Sequence, residues 1–170
     1  MDPDPRPGPD GRLVIEIAEE AGDWSGFDAG GRIAPIVDAL SKRLPDAAGV
    51  VALALADDAM VRDLNARFRN QDKPTNVLSF PSGEEPGPDA QLGDVILAVE
   101  TLRREARAEG KPAADHFTHL VIHGILHLLG YDHESAEDAA RMEQLETTIL
   151  AGLDIDDPYA EPAIADSQAH

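Results

Sequence analysis

The chain contains no cysteine among its 170 residues. This absence excludes disulfides, thiolate catalysis and every metal or iron–sulfur site that needs cysteine ligands. No apolar run approaches the roughly 18 residues that a membrane-spanning helix needs. The acidic, proline-rich start, MDPDPRPGPD, has no apolar core of the kind that secretory signals carry. We therefore expect a cytoplasmic protein that does not insert into a membrane.

Aromatic and basic residues are also scarce. The chain has one tryptophan, two tyrosines and four phenylalanines, and its 14 basic residues face 33 acidic ones, for a net charge of −19. This net negative charge argues against a simple nucleic-acid-binding protein, because the surface that binds nucleic acid is usually basic. However, most of the negative charge lies in residues 1–28 and 134–170, and local patches rather than net charge set contacts. Two basic clusters lie between these ends: Arg62, Arg67, Arg69 and Lys73, and then Arg103, Arg104, Arg107 and Lys111.

The pattern of apolar residues predicts one α+β domain over residues 12–152. Hydrophobic residues make up 42% of the chain, and a chain of this length can bury a single core. Strands are predicted at 13–17 and 50–55, in a proline-bracketed edge segment at 73–81, and in a central segment at 92–99; helices are predicted at 30–44, from Asp57 or Asp58, at 100–109, from Asp115 to Leu129, and from Ser135. We expect a mixed four-stranded sheet packed with about five helices. The acidic, proline-bearing ends, 1–11 and 153–170, are expected to be disordered.

Five of the six histidines lie between positions 116 and 133. His123 and His127 are four residues apart, so on a helix they share one face and can reach one ion at about 2.0–2.1 Å. Gly130 favours a left-handed helix stop, and the following turn can return His133 to the same place. A histidine pair alone is usually an exposed helix face, but here the helix is very apolar and a third histidine follows. We predict a metal site on a central helix, with an open fourth position that is typical of catalytic sites.

The neighbours of this site allow several roles. His119 lies on the same stripe but about 12 Å along the axis from His127, so we expect it to support the ligands or to pack. Asp132 is expected either to accept a hydrogen bond from a ligand or to serve as a turn residue. Position 124 is glycine, where the H-E-x-x-H peptidases carry their general base. A bound metal can still activate water, and phosphodiester cleavage would need positive charge, for which Arg69 and its neighbours are candidates.

Three segments resemble the YbeY family of bacterial single-strand-specific endoribonucleases. Residues 123–133, HGILHLLGYDH, match the family signature H-G-x-L-H-L-x-G-Y-D-H at every position. Residues 64–81, LNARFRNQDKPTNVLSFP, resemble L-N-x-x-[FY]-R-x-x-D-x-P-T-[DN]-V-L-S-F-P, and residues 92–95, LGDV, resemble L-G-D-I. The resemblance runs from about position 13 to about position 150, and the acidic ends depart from it.

This resemblance implies a zinc-dependent endoribonuclease with one Zn²⁺ per chain. Such an enzyme acts in 3′-end maturation of 16S rRNA and in ribosome quality control, so the implied partners are single-stranded RNA, ribosomal RNA and the small ribosomal subunit, without DNA or membrane. Carried over by position, His123, His127 and His133 match the metal ligands, and Arg69 matches a functional arginine that we expect to be catalytic. We expect Arg67 or Lys73 to help bind phosphate, and Asp94 to anchor the sheet without a catalytic role.

Two other functions stay open at this point. One is a ribosome-assembly factor whose metal is mainly structural. The other is a metal-dependent hydrolase of a non-RNA substrate, such as a peptide or a small ester, and Gly124 counts against the peptide version. The sequence also leaves open whether water or the RNA 2′-hydroxyl attacks, and whether the ion is zinc or another metal that suits imidazole.

Overall fold

A computed structural model describes residues 12–159. The elements follow the order β1 (Leu13–Glu19), α1 (Ala29–Arg43), β2 (Gly49–Ala56), α2 (Asp58–Arg69), β3 (Val77–Pro81), β4 (Gln91–Ala98), α3 (Val99–Glu109), α4 (Ala113–Leu128) and α5 (Ala136–Ala151). The predicted α+β fold with four strands and five helices is confirmed. The predictions for residues 1–11 and 160–170 lie outside the described residues.

The four strands form one mixed sheet in the order β1-β2-β4-β3. Strands β1, β2 and β4 run parallel, whereas β3 is antiparallel to β4 and lies at the edge, as its flanking prolines predicted. Ser79 of β3 pairs with Val95 of β4. Asp94 was expected to anchor the sheet, but it is exposed, and none of the side-chain hydrogen bonds in the described residues involves it.

Helices cover both faces of the sheet, and α4 is the most enclosed of them. The larger core packs α1 and α4 against one face, with α5 packed on these two helices, and the smaller core packs α2 against the other face. Helix α4 is apolar nearly all round because it lies between the sheet and α5, which agrees with the predicted central helix. Within residues 12–159, no helix combines the length and hydrophobicity that crossing a bilayer requires.

The helix ends follow the predicted capping residues except at α4. Asp57 accepts a hydrogen bond from the Met60 amide, and Ser135 accepts one from the Asp138 amide. Asp115 was predicted to cap α4, but the helix already begins at Ala113, after Pro112. The fixed φ of Pro112 is compatible with the start of a helix. Asp115 therefore lies within the first turn, where its negative charge interacts favourably with the helix dipole. The helix ends at Leu128, one residue earlier than predicted.

The chain remains packed beyond the predicted domain end at position 152. The amides of Leu153 and Ile155 both donate to the carbonyl of Leu150, and both side chains pack against the larger core. The described structure then continues to Tyr159, an exposed residue whose hydroxyl reaches the buried Glu146. Ordered contacts therefore extend into the segment for which we expected disorder.

Candidate metal centre

The three predicted ligands come together at the end of α4. His123 and His127 lie one helical turn apart, and Gly130 ends the helix with a φ of +107°, a backbone conformation that glycine tolerates without strain. The turn that follows brings His133 back towards α4. One ring nitrogen from each of His123, His127 and His133 lies within 4.8 Å of the other two.

The hydrogen bonds on the far side of two rings determine which nitrogens face inward. Nδ1 of His127 lies 2.9 Å from the carbonyl oxygen of Tyr131, which can only accept, so this nitrogen carries the proton. Nδ1 of His123 lies 2.8 Å from a carboxylate oxygen of Glu146 and donates in the same way. In the neutral form of these rings, the Nε2 atoms are the acceptors that can bind a metal.

The Nε2 atoms of His123 and His127 lie close enough together to share one cation. They are 3.2 Å apart. Two nitrogens bound at about 2.0–2.1 Å to a tetrahedral ion stand about 3.3 Å apart, so the spacing fits a shared divalent ion. Burial lowers the pKa of His127, and the nearby His123 lowers it further, so that its ring is neutral at pH 7.

Glu146 is the residue of the site that the sequence analysis missed. Its carboxylate is fully buried on α5, and its Oε2 accepts from His123 while its Oε1 accepts from Nε2 of His119 at 2.7 Å. Burial alone would raise the pKa of this carboxyl group, but the hydrogen bonds from His119 and His123 lower it to about 2. A buried anion thus orients the His123 ring and would add negative charge behind a bound cation. The sequence did contain one indication of this role: Glu146 lies on the face of α5 that Met142 and Ile149 turn towards the core, where an acidic residue is unusual.

A cleft of about 490 Å³ opens over the histidines. It is lined by Arg69, Val77, Leu78, Ser79, Pro81, His123, His127, Gly130, Tyr131, Asp132 and Glu134. The guanidinium of Arg69 reaches across the edge strand, donates to the carbonyl oxygen of Ser79 and lies 5.1 Å from the centre of the Phe80 ring. These contacts fix a permanent positive charge in the wall of the cleft that holds two of the ligands.

The other predicted site residues lie in different places. His119 contacts Glu146 behind the ligands, and Asp132 lines the cleft but accepts from the amide of Glu134, as a turn residue does. Arg67 is exposed and pairs with Asp63 on its own helix. Lys73 is also exposed, and it does not line the cleft. The structure therefore brings Arg69 to the histidines without Arg67 or Lys73.

Gly124 allows α4 to approach the sheet closely. A Cβ at this position would lie 2.7 Å from Cγ1 of the fully buried Val95 and 3.2 Å from Oγ of Ser79. The glycine that replaces the peptidase glutamate is therefore required by packing, and a longer side chain at this position would collide with β4.

We predict that Gly124→Ala destabilises the protein. Overpacking against Val95 costs about 1–3 kcal/mol, which exceeds the gain in helix propensity of about 1 kcal/mol. The matched control is Gly30→Ala in α1, where a Cβ meets nothing within 4 Å and should leave stability unchanged or raise it. Urea unfolding of both variants measures the difference. A Gly124→Ala protein as stable as Gly30→Ala would contradict the close approach.

Together, the fold and the site define a small α+β protein with a three-histidine cluster that could hold a metal ion, beside a cleft that also contains an arginine. The sequence profile of the family described as Endoribonuclease YbeY matches residues 28–154. The chain is 57% identical over 124 residues to the Endoribonuclease YbeY of Paramagnetospirillum magneticum, covering 69% of this chain and 76% of the relative. It is 48% identical over 153 residues to that of Methylocella silvestris, covering 88% and 87%. The chain belongs to the YbeY endoribonuclease family.

A solved structure supports the same assignment. The chain resembles the solution structure of TM1509 from Thermotoga maritima with a TM-score of 0.56 and 26% sequence identity. The match covers 87% of this chain and all of the other one. The similarity therefore extends over the sheet and the helices that position the metal centre.

Proposed function

We propose that this protein is a cytoplasmic, zinc-dependent endoribonuclease that cuts single-stranded RNA during 3′-end maturation of 16S rRNA, in contact with the small ribosomal subunit. Its membership of a family of endoribonucleases supports the reaction and the RNA substrate. The observation that carries the proposal is the convergence of His123, His127 and His133 within 4.8 Å, where His123 and His127 line a cleft together with Arg69.

The residues in and behind the cleft have different roles in the proposed reaction. His123, His127 and His133 would hold a divalent ion, which would supply a Lewis acid to polarise a phosphate oxygen and to lower the pKa of water. Arg69 binds the phosphate and stabilises the negative charge that grows on it in the transition state, and its contacts with Ser79 and Phe80 hold it in place beforehand. Glu146 and the carbonyl of Tyr131 keep the ligand rings oriented.

The surroundings of the cleft favour substrate delivery by a larger assembly. Arg62 is paired with Asp72, and Arg67 is paired with Asp63, so both guanidinium groups are partly neutralised. Among the cleft-lining residues in the described part of the chain, Arg69 alone carries a permanent positive charge. With a net charge of −19, the isolated protein should bind RNA weakly and with little sequence selectivity. We infer that the ribosome supplies the targeting.

A substrate panel tests this function. Zinc-loaded and chelator-treated protein are incubated with single-stranded RNA, the same RNA as a duplex, single-stranded DNA, an unstructured peptide and a small ester. We expect cleavage of the single-stranded RNA alone, and only in the metal-loaded sample. Turnover of the peptide or the ester instead of RNA would favour the other class of hydrolase. The end groups of the RNA product distinguish water from the 2′-hydroxyl as the attacking group.

The remaining alternative, an assembly factor with a structural metal, requires an experiment in cells. If a metal-ligand variant without RNase activity still supported normal 16S rRNA maturation, the protein would act there as an assembly factor. We expect the opposite result, in which precursor 16S rRNA accumulates in the variant strain and a wild-type copy restores the mature 3′ end.

A further inference from the structure

The segment after α5 is fastened to the helix from which Glu146 projects. It extends beyond residues 28–154, which match the family profile. Oδ1 of Asp157 accepts from the hydroxyl of Thr147 on α5 at 3.0 Å and from the amide of Tyr159 at 2.8 Å. With Ile155 packed against the core, these bonds fix the backbone on which Tyr159 stands.

Tyr159 reaches the buried carboxylate behind the metal ligands. Its hydroxyl lies 2.5 Å from Oε1 of Glu146, and its ring stands edge-on to His119, with the ring centres 5.6 Å apart and the planes at 88°. The carboxylate is ionised and can only accept, so the phenol donates. Burial and the bond to Glu146 raise the pKa of Tyr159 well above its ordinary value, so this donor keeps its proton.

The hydrogen bonds of Glu146 show why this donor matters. Oε2 is engaged by His123, and Oε1 is shared by His119 and Tyr159. A carboxylate bonded at both oxygens is restrained from rotating about its terminal torsion, and its orientation sets that of the His123 ring. Without the phenol, each oxygen would still have one histidine donor, but the buried anion would lose its shortest hydrogen bond and be held less firmly.

We propose that Tyr159 is a positioning residue of the metal centre, which acts through Glu146 on the ligand His123 and is delivered by the C-terminal segment 155–159. The inference rests on the proposed metal site but not on the identity of the substrate. It makes the metal affinity of this chain depend on residues that lie beyond the part shared with the family profile.

The test is Tyr159→Phe, which keeps the ring and removes the hydroxyl. Zinc affinity is measured on the full-length protein by competition with a chromophoric chelator, and we expect about a tenfold weaker Kd, at the low end of the effect of outer partners of metal ligands. Cobalt substitution gives a second readout, because the visible absorption of Co²⁺ reports the orientation of its ligands. We expect altered bands in the variant and a fall in kcat with KM little changed.

Two further variants complete the experiment. Asp157→Ala keeps the phenol but releases the segment, so zinc affinity should fall in the same direction; Asp156→Asn alters an exposed neighbour and should change nothing. If Tyr159→Phe fails to fold without metal, Asp157→Ala provides the same comparison. Wild-type zinc affinity and an unchanged cobalt spectrum in the Tyr159 and Asp157 variants would overturn the inference. A wild-type protein that binds no zinc would instead overturn the proposed function.

Discussion

Arg69→Ala should cleave single-stranded RNA about 100-fold more slowly than the wild type while it retains its metal. Loss of one preorganised donor to a developing anion typically costs about 10²–10³ in rate. The guanidinium lines the same cleft as His123 and His127, but it does not contact the groups that hold those rings. Rates measured with saturating RNA, together with zinc content on the same samples, give both quantities.

Two matched variants separate the role of Arg69 from that of charge in general. Arg62→Ala removes the same charge from the same helix, but its guanidinium pairs with Asp72 on the surface, so cleavage should stay near the wild-type rate. Arg69→Lys keeps the charge without the planar fork that binds two phosphate oxygens, and its rate should fall between the two. Loss of zinc in Arg69→Ala would show that the arginine is structural. An equal loss of rate in Arg62→Ala would assign the effect to long-range electrostatics.

The convergence of His123, His127 and His133 could be predicted from the sequence because its geometry is local. Two histidines four residues apart share one face of any helix, and Gly130 marks the point where the chain turns back with His133. The position of β3 at the edge of the sheet could also be predicted from the sequence, because prolines at both ends of a segment exclude a central strand. Arg69, in contrast, was one of several basic candidates, and only the resemblance of residues 64–81 to a family motif distinguished it from its neighbours.

The support behind the ligands could not be predicted in this way. Glu146 reaches His119 and His123 only because α5 packs against α4, and such packing between distant segments leaves no periodic signal. The contact of Tyr159 with Glu146 could not be predicted for the same reason, because Tyr159 lies in the polar segment 153–170, for which we expected disorder. Phosphate contacts by Arg67 and Lys73 remain predictions, although neither residue lies in the cleft.

His127→Ala should lose its zinc and its RNase activity together. The variant keeps two of the three ligand rings, which is too few for a stable site of this kind. His127 is the better choice of ligand to remove, because His123 also donates to the buried carboxylate of Glu146 and its loss would disturb the packing of α5. The ring of His127 is half-buried and bonded only to a turn carbonyl outside the ligand cluster, so the fold should survive.

The most direct measurement is the zinc content of wild-type and His127→Ala protein by elemental analysis, with cleavage of single-stranded RNA assayed on the same samples. We predict about one zinc per wild-type chain, and a variant that keeps its circular dichroism spectrum but has neither zinc nor detectable cleavage. Cleavage that persists in a metal-free His127→Ala protein would contradict the claim that the three-histidine centre carries out the reaction.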